Sequence, residues 1–412
     1  MSHKHSIEMT EDEREAAVVR ARELAPEFHE AGPAADSDNA LQVHLAALYK
    51  DAGLVDVAVP KRYGGQGGDI WTVARISREL AKGDPACALA FNMHQTMVGI
   101  FRGLLPEDLA KRVFTRIAEE KLIVCAPFSE ERAGVVGLAD TVARPNPDGS
   151  WRISGKKTWA TLAEAADLLS FNAVVVDDDG LLPDDPMTRA MSELAFVLPM
   201  DTPGISIERT WDAMGMRGTG TQTVVFDEAN APAEANAGPF RNGLFNEFEW
   251  AALSFSGVYL GAMEKAYEFT RGVLRTKSMG ATMEGNDVAL KNLGYVQGAL
   301  GEMYVLCRQS AYVVQQMCED FITDDMSEFS GSLPQRLGNL EIGKLTTTEN
   351  AIKVVDLGMR AIGGSAYRRG HLLERLYRDM RSGPFHVLTT NQIIDQLGRF
   401  ELGLFDPPVA AA

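Results

Sequence analysis

The chain has 412 residues, with 40 Lys and Arg against 57 Asp and Glu and a formal charge of −17. Apolar residues at 45% and charged residues at 24% mark an ordered globular protein with more than one packed subdomain. The acidity argues against a nucleic-acid binder or a protein held on anionic membranes, while leaving room for a local basic pocket. Met1 to Arg14 is polar and shows no signal peptide, and no apolar run reaches the ~20 residues of a spanning helix. Cys87, Cys125, Cys307 and Cys318 are widely spaced among apolar residues and read as buried free thiols, without metal spacing. A soluble, cytoplasmic protein is expected.

In chain order, Glu11 to Glu30 and Asp38 to Ala52 read as helices, the second with Leu41, Leu45 and Leu48 at helical spacing. Pro60 to Gly68 carries four glycines in its last five positions and reads as a helix-to-helix turn, not a dinucleotide fingerprint. Ile70 to Lys82, Pro85 to Phe101 and Pro106 to Glu119 continue the helices. From Lys121 the pattern turns to β. Thr141 to Arg144 and Trp151 to Ser154 flank a hairpin turn, and Leu168 to Val176, Leu194 to Leu198, Ile205 to Glu208 and Thr221 to Phe226 read as strands. Asp177 to Met187 reads as an acidic loop. From Glu247 onward helices return: Leu293 to Phe321 with an apolar stripe, Leu340 to Ala361, Leu372 to Met380 and Asn391 to Leu402. The organisation is helical over 1–120, β over 121–240 and helical over 241–412.

No metal motif, phosphate loop or nucleophile elbow is present in the sequence. His94 falls on a mostly apolar helix and reads as a core or pocket-wall group. His386 follows Arg378 to Phe385 in a Gly-Pro-interrupted segment between helices, where functional side chains concentrate.

Six local motifs in order make the chain similar to the acyl-CoA dehydrogenase superfamily of flavoproteins, from about Leu41 to Gly403. They are Pro60 to Gly68, Ser129 to Gly134, Gly155 to Thr161, Met214 to Gly218, Gly363-Gly364 with Tyr367, and Arg378-Asp379. The resemblance implies an α+β, mainly α fold: a helical N-terminal domain, a small central β-barrel and a C-terminal four-helix bundle. It implies FAD between barrel and bundle. Trp159 and Thr161 would flank the isoalloxazine ring, and Phe128 and Ser129 would meet its pyrimidine end. Arg360, Gly363 and Gly364 would grip the ADP half from a neighbouring subunit, and Thr389 lies in the C-terminal cofactor segment. Cofactor sharing implies a dimer of dimers, a homotetramer or homodimer.

The resemblance breaks at the catalytic base. The family's usual carboxylate positions are occupied by Val387, or Leu388 in the next register, and by Ala251 beside Ala252. Glu249 is close to the second position, but two residues of helix rotate it by roughly 200°. It reads either as a displaced base or as a surface carboxylate in a first helical turn. Val135-Val136 replaces a usual contact to the CoA arm. The Val387 backbone N–H could still donate to a substrate carbonyl. Arg378, Arg381 and His386 match the spacing of flavin monooxygenases of this fold, where the histidine could deprotonate a substrate or steady a flavin hydroperoxide.

Three readings follow. One is an FAD-dependent dehydrogenase of an acyl thioester carried by CoA or a carrier protein, with His386 or Glu249 as base, passing electrons to an acceptor. Another is a two-component monooxygenase taking reduced FMN or FAD from a flavin reductase. The third is a non-catalytic flavin- or acyl-carrier-binding protein.

Overall fold

The computed structural model describes residues 8–132, 137–176, 179–241, 249–281, 283, 285, 287–323, 333–386 and 388–404, the side chains of 281 and 333–340 excepted. Its first helix, α1 (Glu11–Asp38), is opened by a capping box in which Thr10 accepts from Glu13 N and Glu13 accepts from Thr10 N. It runs eight residues past the expected Glu30, carrying Pro26 and Pro33 within it, and closes at Asn39 in the left-handed region. The expected Asp38 to Ala52 helix is correspondingly reduced to α2 (His44–Asp51), with Leu41 buried outside it. Helices α3 (Ile70–Gly83), α4 (Pro85–Leu104) and α5 (Glu107–Glu120) follow. Asp69 and Asp84 cap α3 and α4 through their carboxylates.

The β region is an eight-stranded sheet: β1 (Val124–Cys125), β2 (Val142–Pro145), β3 (Trp151–Ala160), β4 (Leu168–Val175), β5 (Glu193–Pro199), β6 (Ile205–Glu208), β7 (Gln222–Ala231) and β8 (Asn236–Pro239). The order is β6-β7-β3-β2-β4-β5-β8, with β1 parallel to the start of β4. A short helix, α6 (Pro186–Met191), starts at the end of the segment read as a loop and runs four residues past Met187. The sheet has its own core, where Phe171 lies between Phe196 and Phe226 at centroid distances of 5.6 and 4.4 Å.

The C-terminal helices are α7 (Glu249–Thr276), α8 (Gly294–Thr323), α9 (Leu333–Ile362), α10 (Leu372–Met380) and α11 (Thr390–Glu401). They share one continuous core with the N-terminal helices. A two-stranded hairpin, β9 (Ser278–Ala281) with β10 (Asp287–Ala289), interrupts what the sequence reads as purely helical. Gly257 and Gly261 on α7 set its distance from α3: a Cβ there would meet Ala74 O at 2.2 Å and Arg78 O at 2.1 Å. Arg78 then grips Glu264 through two hydrogen bonds of 2.6 and 2.8 Å. This contact fixes which face of α7 remains for the site.

Candidate functional site

Strand β3 presents the first half of the site. Trp159 sits at φ 57°, and its side chain is 60% exposed. An indole held open at a left-handed backbone position is available to a planar ligand. Its ring meets the edge of Trp211 at 5.3 Å. Behind it, Thr158 N donates to Ser129 O at 2.9 Å, joining Ser129 to β3, and Phe128 packs on Phe240. Beneath that bridge lies Lys157, fully buried, donating to Glu130 Oε1 at 2.6 Å and Asn172 Oδ1 at 2.8 Å. Glu130 also accepts from Asp140 N and Thr141 N.

Thr161 heads a hydroxyl chain whose direction follows from its far end. Thr219 Oγ1 donates to Met216 O at 2.8 Å, which spends its one proton. Thr221 must then donate to Thr219 at 2.6 Å, and Thr161 to Thr221 at 2.8 Å. Thr161 Oγ1 therefore has only its lone pairs left and can act toward a ligand as an acceptor.

The second half is built on α7 and the segment after α10. Phe255 and Tyr259, one turn apart, face His386. The Phe255 ring stacks on the imidazole at 4.8 Å and 17°, and Tyr259 OH lies 2.8 Å from His386 Nε2. Tyr259 OH lies 2.7 Å from Ser382 Oγ, which donates to Asp379 O. Lys344 on α9 donates to His386 O at 2.6 Å and also to Leu388 O, pinning the backbone on both sides of position 387. Burial and the Lys344 charge push the His386 imidazole down to about 3, so it is neutral over the physiological range. Glu341 is buried 3.8 Å from Lys344, and burial holds its carboxyl above the ordinary range.

A continuous run of contacts joins the halves. Trp211, against Trp159, donates its Nε1–H to Met216 O at 3.0 Å. Met216 N donates to buried Asp379 Oδ1 at 2.6 Å, and Asp379 O holds Ser382. Arg378 braces the same joint, donating to both Asp36 carboxylate oxygens at 2.7 Å. Its match to the monooxygenase spacing therefore coincides with a structural clamp. Arg381 likewise donates to Tyr377 OH.

The remaining expected residues lie apart. Glu249 is buried, not at the surface, in the first turn of α7 beside buried Trp250. Ala251, four residues before Phe255, is on the His386 side. Arg360 is 75% exposed and pairs with Asp356, and Gly363 and Gly364 have open space around them. Thr389 closes a capping box with Gln392 at the start of α11. Val387 and Val135-Val136 lie outside the described residues. His94 is a satisfied core group: Val124 N donates to its Nδ1, so Nε2 carries the proton donated to Val55 O. Tyr259, Ser382, Lys344, Glu341 and Trp211 were not singled out from the sequence.

Three family models match: the acyl-CoA dehydrogenase N-terminal domain at residues 10–121, middle domain at 125–229 and C-terminal domain at 245–387. L-evernosamine nitrososynthase of Micromonospora sp. is 27% identical over 90% of this chain and 86% of its own length. Cyclohex-1-ene-1-carbonyl-CoA dehydrogenase of Syntrophus aciditrophicus is 26% identical over 91% and 85%. The FMN-bound TdsC of Paenibacillus sp. A11-2 superposes with a TM-score of 0.82 at 22% identity, covering 95% of this chain and 98% of that one.

Proposed function

The chain belongs to the acyl-CoA dehydrogenase family, and on that premise we propose that it is a flavin-dependent monooxygenase using reduced flavin and oxygen. One observation carries the reading: the family's proton-abstracting positions are filled by groups that cannot take a proton. Val387 (or Leu388 in the next register) and Ala251 have no acid–base group, and burial and the Lys344 charge hold nearby His386 at about 3. A base ~4 units below neutrality forfeits about 5 kcal/mol of driving force for abstracting an α-proton.

The residues fit a flavin. Trp159 offers an open aromatic face, and the Ser129–Thr158 bridge offers backbone groups beside it. Bound there, reduced flavin supplies the two electrons that activate oxygen. Thr161 Oγ1, an acceptor by the direction of its hydroxyl chain, suits the N–H that flavin carries at N5 only when reduced. Arg360, Gly363 and Gly364 form an open surface that would receive the ADP half of FAD across a homodimer or homotetramer contact. Phe255 and Tyr259 wall the substrate side and exclude water, and His386 offers a neutral imidazole to a polar group of the substrate. A separate flavin reductase would supply the cofactor.

A second reading, dehydrogenation of an acyl thioester carried by CoA or a carrier protein, rests on Glu341, a buried carboxyl held toward neutrality behind the same segment. Anaerobic titration of the oxidised flavin complex with acyl-CoAs and carrier-bound acyl groups divides the two. The monooxygenase keeps its long-wavelength flavin absorbance throughout, and prompt bleaching by any thioester would sink the proposal.

A further inference from the structure

The hydrogen bonds around His386 determine where its proton lies. Asp379 O is a carbonyl and can only accept, so the Ser382 hydroxyl donates to it at 2.7 Å. With that proton spent, Ser382 Oγ accepts from Tyr259 OH at 2.7 Å. The Tyr259 proton is then spent as well, and its oxygen accepts from His386 Nε2 at 2.8 Å. Any other arrangement places two lone pairs against each other at one of these distances. Tyr259 is fully buried, which pushes its phenol well up and keeps the O–H in place.

We propose that Tyr259 and Ser382 are positioning residues that hold His386 as the Nε2–H tautomer, leaving Nδ1 as the acceptor for an O–H or N–H donor of the bound substrate. Nδ1 has no hydrogen-bond partner among the described residues. The Phe255 ring at 4.8 Å fixes the imidazole plane, and Lys344 fixes the backbone through His386 O. Burial together with the Lys344 ammonium opposes protonation, so the lone pair stays available. The substrate class that fits is a hydroxyl- or amino-bearing molecule, not a wholly apolar one. The functional half of this inference rests on the monooxygenase reading; the tautomer does not.

The test is solid-state ¹⁵N NMR of the full-length protein labelled at histidine nitrogen, with His386 assigned by its loss in His386→Gln. Wild type should show a protonated Nε2 and an unprotonated Nδ1 from about pH 5 to about pH 8. In Ser382→Ala the Tyr259 proton is free to turn toward Nε2, and the two nitrogen signals should exchange. In Tyr259→Phe they should become a mixture. Turnover of a hydroxyl- or amino-bearing substrate should fall on the order of 10²-fold in kcat in Ser382→Ala, with flavin affinity unchanged. A proton on Nδ1 in wild type, or an unchanged pattern in Ser382→Ala, overturns the inference. Full activity of His386→Gln would instead overturn the monooxygenase role assigned to this residue, whatever the tautomer. These two failures are separately visible.

Discussion

Replacing Lys157 with methionine tests whether strand β3 is braced from below. Lys157 has no solvent exposure and its Nζ lies 2.6 Å from Glu130 Oε1. Burial draws the Lys157 ammonium below its ordinary value, while that ammonium and two backbone N–H groups draw Glu130 below its own. The two shifts point opposite ways for the worth of the pair, so its net contribution is small. The cost of truncation comes instead from the stranded partner. Breaking a buried pair generally costs about 3–5 kcal/mol. Glu130 keeps Asp140 N at 2.6 Å and Thr141 N at 3.1 Å, which places Lys157→Met near the lower figure, about 3 kcal/mol. Adding Glu130→Gln removes the stranded charge, so the double variant should recover about 1–2 kcal/mol relative to the sum of the singles. Urea unfolding followed by tryptophan fluorescence reads this, since Trp151 and Trp159 lie on the same strand. A Lys157→Met loss below about 0.5 kcal/mol, with additive singles, would refute the reasoning.

Trp159→Ala should leave stability unchanged, the ring being 60% exposed, but weaken flavin binding by about 1 kcal/mol, roughly fivefold in Kd by fluorescence titration. Gly215→Ala would bring a Cβ to 2.2 Å from Arg378 O and separate the joint at Met216 and Asp379; a loss of about 2–3 kcal/mol is expected by thermal unfolding. His94 is held neutral by burial, at about 4 against an ordinary 6.5. The unfolded chain takes up this proton first, so stability is fully present above about pH 6.5 and is lost as pH falls to about 4. The loss attributable to His94 is about 3 kcal/mol. His94→Gln should therefore show a flatter decline than wild type between those limits by urea unfolding, and parallel curves would rule the group out.

What the sequence discloses and what it withholds divide along sequence distance. The start of strand β3 is legible as Trp151 to Ser154 from its hairpin turn, a local feature, whereas its run on to Ala160 is marked only by the resemblance of Gly155 to Thr161. Helix α1 is misjudged at its end because Gly32 and Pro33, just past the expected Glu30, are strong local stop signals. Tertiary packing overrides them: Ala17, Ala21, Leu24, Phe28, Ala31 and Ala35 are buried along its whole length. Strand β7 runs on to Ala231 past Asp227 and Glu228, polar residues that mark a strand end by composition yet sit at a register shift against β3. Glu249 shows the same limit in the opposite sense. A carboxylate in a first helical turn is an ordinary surface residue by pattern, yet Glu249 is buried at the end of α7 where the neighbouring Trp250 packs against Gly99 of α4.

His386 carries this furthest. Its position in a Gly-Pro-interrupted segment marks it as a residue of interest, but its chemistry depends on Tyr259, 127 residues away. The spacing of Arg378, Arg381 and His386 aligns three residues that do separate work: Arg378 clamps Asp36, Arg381 holds Tyr377, and His386 faces Phe255 and Tyr259. A sequence names an imidazole whose ordinary value lies near ~6.5, and that value alone suits a base. Burial and the Lys344 ammonium lower this imidazole to about 3, and on the proposed reading it serves as a neutral acceptor. On the proposed monooxygenase reading, the step from dehydrogenase to oxygenase chemistry on one scaffold need not begin with a new catalytic group. Removing the carboxylate from the 251 and 387 positions, and setting the direction of two hydroxyl chains, changes which protons the site can accept and which it can only hold.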